Sequence, residues 1–148
     1  MTAEADPRRP QPIVIDANVA AKLVLIEPDT TDAVALQDRA AAGEVSLHAP
    51  DTWLAEAANA VWKHSALLGR LSPERAREAV RRLGGAAVAT TATDVLVEQA
   101  FALALERRTT VYDALYLALA LALNAPLATR DAALARHARG CAVRLYWE

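Results

Sequence analysis

The sequence of 148 residues is poor in cysteine, in aromatic side chains and in any excess of charge. Cys141 is the only cysteine, which excludes an internal disulfide framework and a cysteine-rich zinc site. His48, His64 and His137 have no metal-ligand spacing. The formal net charge of −2 argues against a protein that holds nucleic acid by bulk charge alone.

Long apolar runs are also missing. The most apolar stretch, from Val111 to Leu123, is shorter than the roughly 20 residues of a membrane span and contains Asp113. The first twelve residues are polar and proline-rich, without the apolar segment of a secretory signal. We therefore expect a flexible tail over 1–12 and a soluble, cytoplasmic protein with no membrane association.

What the sequence does contain is alanine. Hydrophobic residues make up 54% of the chain, largely as alanine, and charged residues 23%. This composition excludes a wholly disordered chain and favours closely packed helices. The length fits a single domain, which we expect to occupy residues 13–148.

Short apolar runs alternate with helical patterns along this domain. Strands are predicted at 12–15, 45–49, 86–90, 127–128 and 143–146. Helices are predicted at about 19–26, 30–42, 52–68, 73–84, 93–108, 112–123 and 131–138, with Ser72 and Thr93 as N-caps. Such alternation indicates right-handed crossovers, and hence a three-layer α/β/α sandwich with a small, mostly parallel central sheet.

Two carboxylates follow predicted strands. Asp16 comes directly after the first strand and Asp131 just after the fourth, at the edge where open parallel sheets bind ligands. An Asp at either position is equally explained as a helix cap. Glu56 lies within a predicted helix on a stripe with Thr52 and Asn59, so a solvated helix face explains it as well as chemistry does.

Asp113 is harder to explain structurally. It is the only charged residue between Thr109 and Leu123, in a helix that is apolar on all sides and is therefore expected to be buried. A buried carboxylate needs a cation or hydrogen bonds, and the helix dipole supplies less than about 1 kcal/mol. If the four carboxylates converge, Mg²⁺ is the cation that fits oxygen ligands, whereas zinc would call for His or Cys ligands.

Four segments, taken in order, resemble the PIN-domain ribonucleases, and most closely the VapC toxins of bacterial type II toxin–antitoxin modules. They are IVIDANVAAKL, WLAEAANAVWK, VYDALYLALA and LATRD, and the resemblance extends from Ile13 to about Tyr146. It implies a PIN-like fold and places the family's acidic site at Asp16, Glu56, Asp113 and Asp131. Asn18 and Thr129 match polar residues that accompany the first and last acids, where they would orient waters or carboxylates.

The resemblance implies an endoribonuclease dependent on one or two Mg²⁺ or Mn²⁺ ions, which hydrolyses RNA phosphodiesters with a metal-activated water. In this hypothesis Asp16 and Asp113 bind the metal directly, and Glu56 and Asp131 bind through water or hold a second ion. The resemblance further implies a homodimer and a toxin whose cognate antitoxin protein blocks the site.

Basic residues beside the acidic motifs are the candidates for RNA phosphate contacts: Lys22, Lys63, Arg70 and Arg130. A second set lies on the predicted helix after Ser72, where a solvated face is the simpler explanation: Arg75, Arg77, Arg81 and Arg82. Trp53 and Trp62 could stack on bases, although a place in the core or in a dimer interface is the simpler expectation.

Other functions remain open at this stage. An acidic-site phosphohydrolase of the haloacid dehalogenase type would need a second Asp where Asn18 stands, because an amide cannot act as a general acid. A phospho-acceptor signalling domain would need adjacent acids, and Asp16 is flanked by Ile15 and Ala17. A PIN-fold protein that binds RNA or a protein partner without turnover is the main alternative.

Overall fold

A four-stranded parallel sheet forms the centre of the computed structural model, which describes residues 6–25 and 30–148. Its strands are β1 (Gln11–Ile15), β2 (Val45–Pro50), β3 (Val88–Thr91) and β4 (Leu127–Ala128), in the spatial order β3-β2-β1-β4. The register pairs Ile13 with Leu47 and Ile15 with Ala128. The carboxyl ends of β1 and β4 therefore lie side by side.

Seven α-helices connect and cover these strands in the described residues. They are α1 (Ala17–Ala21), α2 (Thr30–Ala41), α3 (Trp53–Trp62), α4 (Pro73–Gly84), α5 (Thr93–Arg107), α6 (Val111–Leu123) and α7 (Ala132–Gly140). A π-helical segment, Lys63–Leu67, continues α3. The predicted cap Ser72 accepts a hydrogen bond from the Arg75 N–H at 3.3 Å. The predicted three-layer α/β/α sandwich is confirmed.

Helix α6 lies at the heart of the core. Every residue from Ala114 to Ala120 is buried, and the helix contacts β1, β2, β4 and α5. This burial on all faces is what its uniformly apolar sequence predicts. The helix begins after Thr110, whose hydroxyl accepts a hydrogen bond from the Asp113 N–H at 3.1 Å. Asp113 is thereby fixed in the first turn, at the N-terminal end of this core helix.

Three local predictions are wrong. The fifth strand, predicted at 143–146, is reduced to one bridge between Leu145 and Leu127, because β4 itself is only two residues long. Thr93 is not the cap of α5 but its first residue, and its hydroxyl donates to Asp51 at 2.5 Å. Helix α1 ends at Ala21, after which the N–H groups of Leu23 and Val24 bond three residues back and form a turn. The predicted end of α1, Ile26, lies outside the described residues.

The segment after the bridge is fastened to the body of the domain by two aromatic side chains. The Tyr146 hydroxyl accepts a hydrogen bond from Arg39 of α2 at 2.5 Å. The guanidinium carbon of Arg130 lies 4.5 Å from the ring centroid of Trp147, and Arg130 also forms an ion pair with Asp32 of α2. Helix α2, the β4–α7 connection and this segment are thus held together.

Candidate active site

All four carboxylates that the sequence singled out line one cavity of about 240 Å³ at the carboxyl ends of β1 and β4. Asp16 comes from the β1–α1 junction and Asp131 from the β4–α7 junction, whereas Glu56 projects from α3 and Asp113 from the first turn of α6. The other polar residues that line the cavity are Asn18, Asn59, Lys63 and Tyr116. Four separate segments of the chain therefore meet at one site.

Asp16 is the most constrained of the acids, with only 4% of its surface exposed. One carboxylate oxygen accepts a hydrogen bond from the Val19 N–H at 2.7 Å, which caps α1, and the other accepts one from the Thr129 hydroxyl. Burial raises the pKa of Asp16 to about 6, against the lowering effect of these bonds. This one side chain therefore caps α1, as one alternative predicted, and also lines the cavity.

Asp131 plays a similar double role at α7. Its carboxylate caps the helix by accepting the Leu134 N–H at 2.9 Å, while its own N–H donates to the Thr129 hydroxyl at 3.0 Å. Because Thr129 also donates to Asp16, one buried hydroxyl connects the two strand-end acids. Asp131 itself is exposed, so its carboxylate is reachable from the cavity mouth.

Glu56 is half-buried and held by two hydroxyl groups, one from Thr52 of the predicted polar stripe and one from Tyr116 of α6. Its Oε1 atom accepts hydrogen bonds from Thr52 at 2.9 Å and from Tyr116 at 3.2 Å. Burial raises the pKa of Glu56, and the nearby charge of Asp113 raises it further. The pKa of Tyr116 is raised by its own burial and by Glu56, so this hydroxyl stays a donor.

Sequence reasoning missed Tyr116 as a site residue. The available signal was its spacing, since it follows Asp113 by three positions and so falls on the same helix face. Its hydroxyl is a polar atom on a side chain that is 1% exposed, in an otherwise apolar helix. Such an atom requires a hydrogen-bond partner, and Glu56 provides it.

Asp113 differs from its prediction. It was expected to be buried, but it is half-exposed, because it occupies the first turn of α6 where the helix reaches the cavity mouth. Burial nevertheless raises its pKa, and the charge of Asp131 adds to this, while His137 and a hydrogen bond with Thr109 lower it. The pKa values of Asp16, Glu56 and Asp113 are therefore all raised from their ordinary values, in each case chiefly by burial.

The predicted RNA-contact residues divide into three groups. Lys63, in the π-helical segment, lines the acidic cavity itself. Lys22 and Arg130 line an adjoining cavity, and Arg70 is exposed and lines neither. Of the two tryptophans that were candidates for base stacking, Trp53 is a core residue at 4% exposure, whereas Trp62 is 52% exposed. The arginines of α4 are all exposed: Arg75, Arg77, Arg81 and Arg82.

The donors that line the acidic cavity fit a hard divalent cation. They are carboxylate and amide oxygens, with no His or Cys among the lining residues, which suits Mg²⁺ or Mn²⁺ and not zinc. Within residues 6–25 and 30–148 no three His, Cys, Asp or Glu side chains form a ready-made metal cluster. Mg²⁺ is commonly held by one or two carboxylates and several waters. A cation in this cavity would stabilise the ionised carboxylates and so offset the burial and mutual repulsion that raise the three pKa values.

Comparison with known proteins identifies the family of this chain. The family model described as "PIN domain" matches residues 13–140. Ribonuclease VapC3 of Pyrobaculum aerophilum is 35% identical over 125 residues, which cover 83% of this chain and 92% of that protein.

Two solved structures share the fold. The crystal structure of PAE2754 from Pyrobaculum aerophilum superposes with a TM-score of 0.66 at 24% identity, covering 86% of this chain and 79% of the other. The crystal structure of FitAcB from Neisseria gonorrhoeae gives a TM-score of 0.56 at 18% identity, covering 90% of this chain and 96% of the other. No helix in the described part of the chain is long and apolar enough to cross a membrane. The chain belongs to the PIN-domain family and is of the VapC-like kind that its four motifs predicted.

Proposed function

We propose that this protein is an endoribonuclease dependent on Mg²⁺ or Mn²⁺ that acts as the toxin of a toxin–antitoxin pair, with residues 13–148 as its nuclease domain. The observation that carries the proposal is the single cavity lined by Asp16, Glu56, Asp113 and Asp131. The identity to a ribonuclease over 83% of the chain supports the same activity.

The roles proposed for the four acids follow from their burial and hydrogen bonding. Asp16 and Asp113 bind one cation directly, and Glu56 and Asp131 bind through water or hold a second ion. A bound divalent cation supplies positive charge that acidifies a water and offsets the charge growing on the phosphate. Asp16 is prevented from rotating by its two hydrogen bonds, so its position is set before any substrate arrives.

Glu56 is oriented in a similar way. Thr52 and Tyr116 both donate to Oε1, and among the described residues Oε2 has no hydrogen-bond partner. We propose that Oε2 accepts a hydrogen bond from a water in the cavity and helps to orient it for attack on phosphorus. Asn18 and Thr129 complete the orientation of waters and carboxylates, and Lys63 contacts the RNA phosphate that enters among the acids.

The partners proposed for this chain are an RNA substrate, a cognate antitoxin protein and a second copy in a homodimer, in the cytoplasm. They rest on the VapC-like motifs and on the VapC relative. Production of the protein alone in bacteria is expected to arrest growth, and co-production of the antitoxin to restore it. Normal growth in cells that contain active enzyme without antitoxin would refute the toxin role.

The decisive experiment is a calorimetric titration of Mn²⁺ into the purified protein and its Asp16→Asn and Asp113→Asn variants. We expect binding to the wild-type protein that is lost in both variants, because both side chains contribute to one cation site. Asp94→Asn is the matched control, since Asp94 also lies in the first turn of a helix but is exposed on α5, away from the cavity lining. Binding that survives in either site variant would refute the shared cation site.

Cleavage is then measured on single-stranded RNA with and without Mn²⁺. Asp113→Asn is expected to lower the rate by about 100-fold or more, comparable with the loss of a key electrostatic group in other enzymes. The control Asp94→Asn should cleave at the wild-type rate. Mn²⁺ binding with RNA binding but no turnover by the wild-type protein would favour the alternative of a PIN-fold binding protein.

A further inference from the structure

A second cavity, of about 220 Å³, adjoins the acidic one, and three basic side chains are among its lining residues. The two cavities share Asn18, Ala60 and Asp131 as lining residues, so they are separated by side chains and not by a layer of structure. Within residues 6–25 and 30–148, Asp131 is the only carboxylate in the lining of the second cavity. Its charged and ionisable side chains are otherwise Lys22, His64 and Arg130.

Three different elements deliver these side chains. Lys22 is the C-cap of α1, His64 belongs to the π-helical segment, and Arg130 lies between β4 and α7. The consecutive residues Lys63 and His64 line the acidic and the second cavity respectively. The π-helical segment therefore contributes one basic side chain to each cavity.

Arg130 is ordered by contacts outside the cavity. Its guanidinium stacks on Trp147 and pairs with Asp32, so it is held in place from two sides. A side chain that is already ordered loses less conformational entropy when it binds a ligand. The planar fork of arginine also matches the oxygens of a phosphate, and a lysine ammonium beside it adds a point charge.

We propose that the second cavity binds the RNA phosphate next to the one that enters the acidic cavity. This inference rests on the proposed function. Four carboxylates repel a polyanion, so the strand must be held by positive charge close to the acids, and the second cavity supplies it within one shared wall. In RNA, the phosphate that reacts among the acids is followed along the strand by another phosphate, which can occupy the adjoining cavity. An acidic peptide has no group on which the four carboxylates would act, so nothing would favour its entry among them.

The proposal assigns the predicted basic residues to different tasks. Lys22, Arg130 and the newly identified His64 hold the flanking phosphate, and Lys63 contacts the phosphate among the acids. Arg70, which lines neither cavity, is left without a place in this arrangement. Contacts of this kind position the strand without reading its sequence.

The test measures RNA binding without turnover. A labelled, short, single-stranded RNA of mixed sequence is titrated with protein in EDTA, and the affinity is followed by fluorescence anisotropy between about 50 and 200 mM KCl. Lys22→Gln and Arg130→Gln are compared with wild type. Arg136→Gln is the charge-matched control, because Arg136 is exposed on α7 and lines neither cavity.

Each site variant is expected to reduce the slope of log K against log salt by about 0.7, the value for one phosphate contact on a single strand. The affinity gap to wild type should then shrink roughly threefold between the two salt limits. His64→Ala, which removes N–H donors, should weaken binding about fivefold. Circular dichroism establishes that Arg130→Gln is folded, and Lys22→Gln carries the test if it is not.

Slopes equal to wild type in Lys22→Gln, or an equal loss in Arg136→Gln, would overturn the proposal. So would unchanged RNA binding together with weakened binding of a labelled oligoglutamate, because an acidic peptide would then be the occupant. Failure of the proposed function is seen separately, as RNA binding by the wild-type protein without metal-dependent cleavage.

Discussion

Asp16 should make this protein less stable at neutral pH than at pH 4. The carboxyl group is 4% exposed, and burial raises its pKa from 3.8 to about 6. Between these two values the folded state binds more protons than the unfolded chain, so the free energy of unfolding falls as the pH rises. The stabilising contribution of the protonated carboxyl is complete below pH 3.8 and is lost above about pH 6.

The magnitude follows from the same two values. At 1.36 kcal/mol per pKa unit, the difference between 3.8 and about 6 corresponds to about 3 kcal/mol. In Asp16→Asn the amide oxygen still accepts the Val19 N–H, but the amide nitrogen replaces the oxygen that accepts from Thr129. The Thr129 hydroxyl then loses its acceptor, at about 1 kcal/mol. The variant is therefore expected to be about 2 kcal/mol more stable than wild type at pH 7. At pH 4 it should be about 0.5 kcal/mol less stable, because ionisation of the unfolded chain has already removed part of the stabilisation of wild type.

Urea unfolding followed by circular dichroism at pH 4, 5, 6 and 7, in EDTA so that no cation screens the acids, measures both limits. The two stability curves should cross between pH 4 and 7. Asp94→Asn, at an exposed position on α5, should give a curve parallel to that of wild type. Parallel curves for Asp16→Asn and wild type would show that Asp16 is ionised in the folded protein without penalty, and the reasoning about burial would be wrong.

Three further substitutions test the residues that hold the acids in position and the core helix behind them. Thr129→Val removes the hydroxyl that donates to Asp16, and it should lower the free energy of unfolding by about 1–3 kcal/mol and weaken Mn²⁺ binding. Unchanged values in urea denaturation and in calorimetry would refute the role of that hydroxyl. Tyr116→Phe leaves Glu56 with one hydroxyl donor and should slow RNA cleavage by about 10- to 100-fold while the exposed Tyr112→Phe does not, so equal rates would contradict it. Leu119→Ala, in the buried part of α6, should cost about 2–5 kcal/mol in urea unfolding, and a loss below 1 kcal/mol would mean that this helix is not the core element described.

The sheet and the positions of Asp16 and Asp131 could be predicted because they depend on local patterns. An apolar run followed by Asp marks both the end of a buried strand and the edge where ligands bind in parallel sheets. The uniformly apolar sequence of α6 likewise predicted its burial, and only the exposure of Asp113 in its first turn was missed. Asp113 is partly exposed although the rest of α6 is buried, because the first turn of the helix reaches the cavity mouth.

Glu56 could not be assigned in this way. A polar stripe on α3 is compatible with solvent or with a site, and the difference depends on how α3 and α6 are oriented. The bond from Tyr116 to Glu56 joins residues 60 positions apart, so no local pattern encodes it. The predicted strand at 143–146 failed for a related reason, since an alternating pattern cannot show that β4, its partner in the described part of the chain, is two residues long.

The stacking of Trp147 on Arg130 gives the protein an internal fluorescent reporter. The indole lies against a side chain that lines the second cavity, while Trp53 is enclosed in the core and Trp62 faces solvent. A phosphate that binds the guanidinium in place changes the charge beside this one indole first. Because Arg130 is also paired with Asp32, such a ligand acts on α2 as well, and occupancy of the cavity and the anchoring of that helix are coupled equilibria. The emission of Trp147 would then follow both events without any added label.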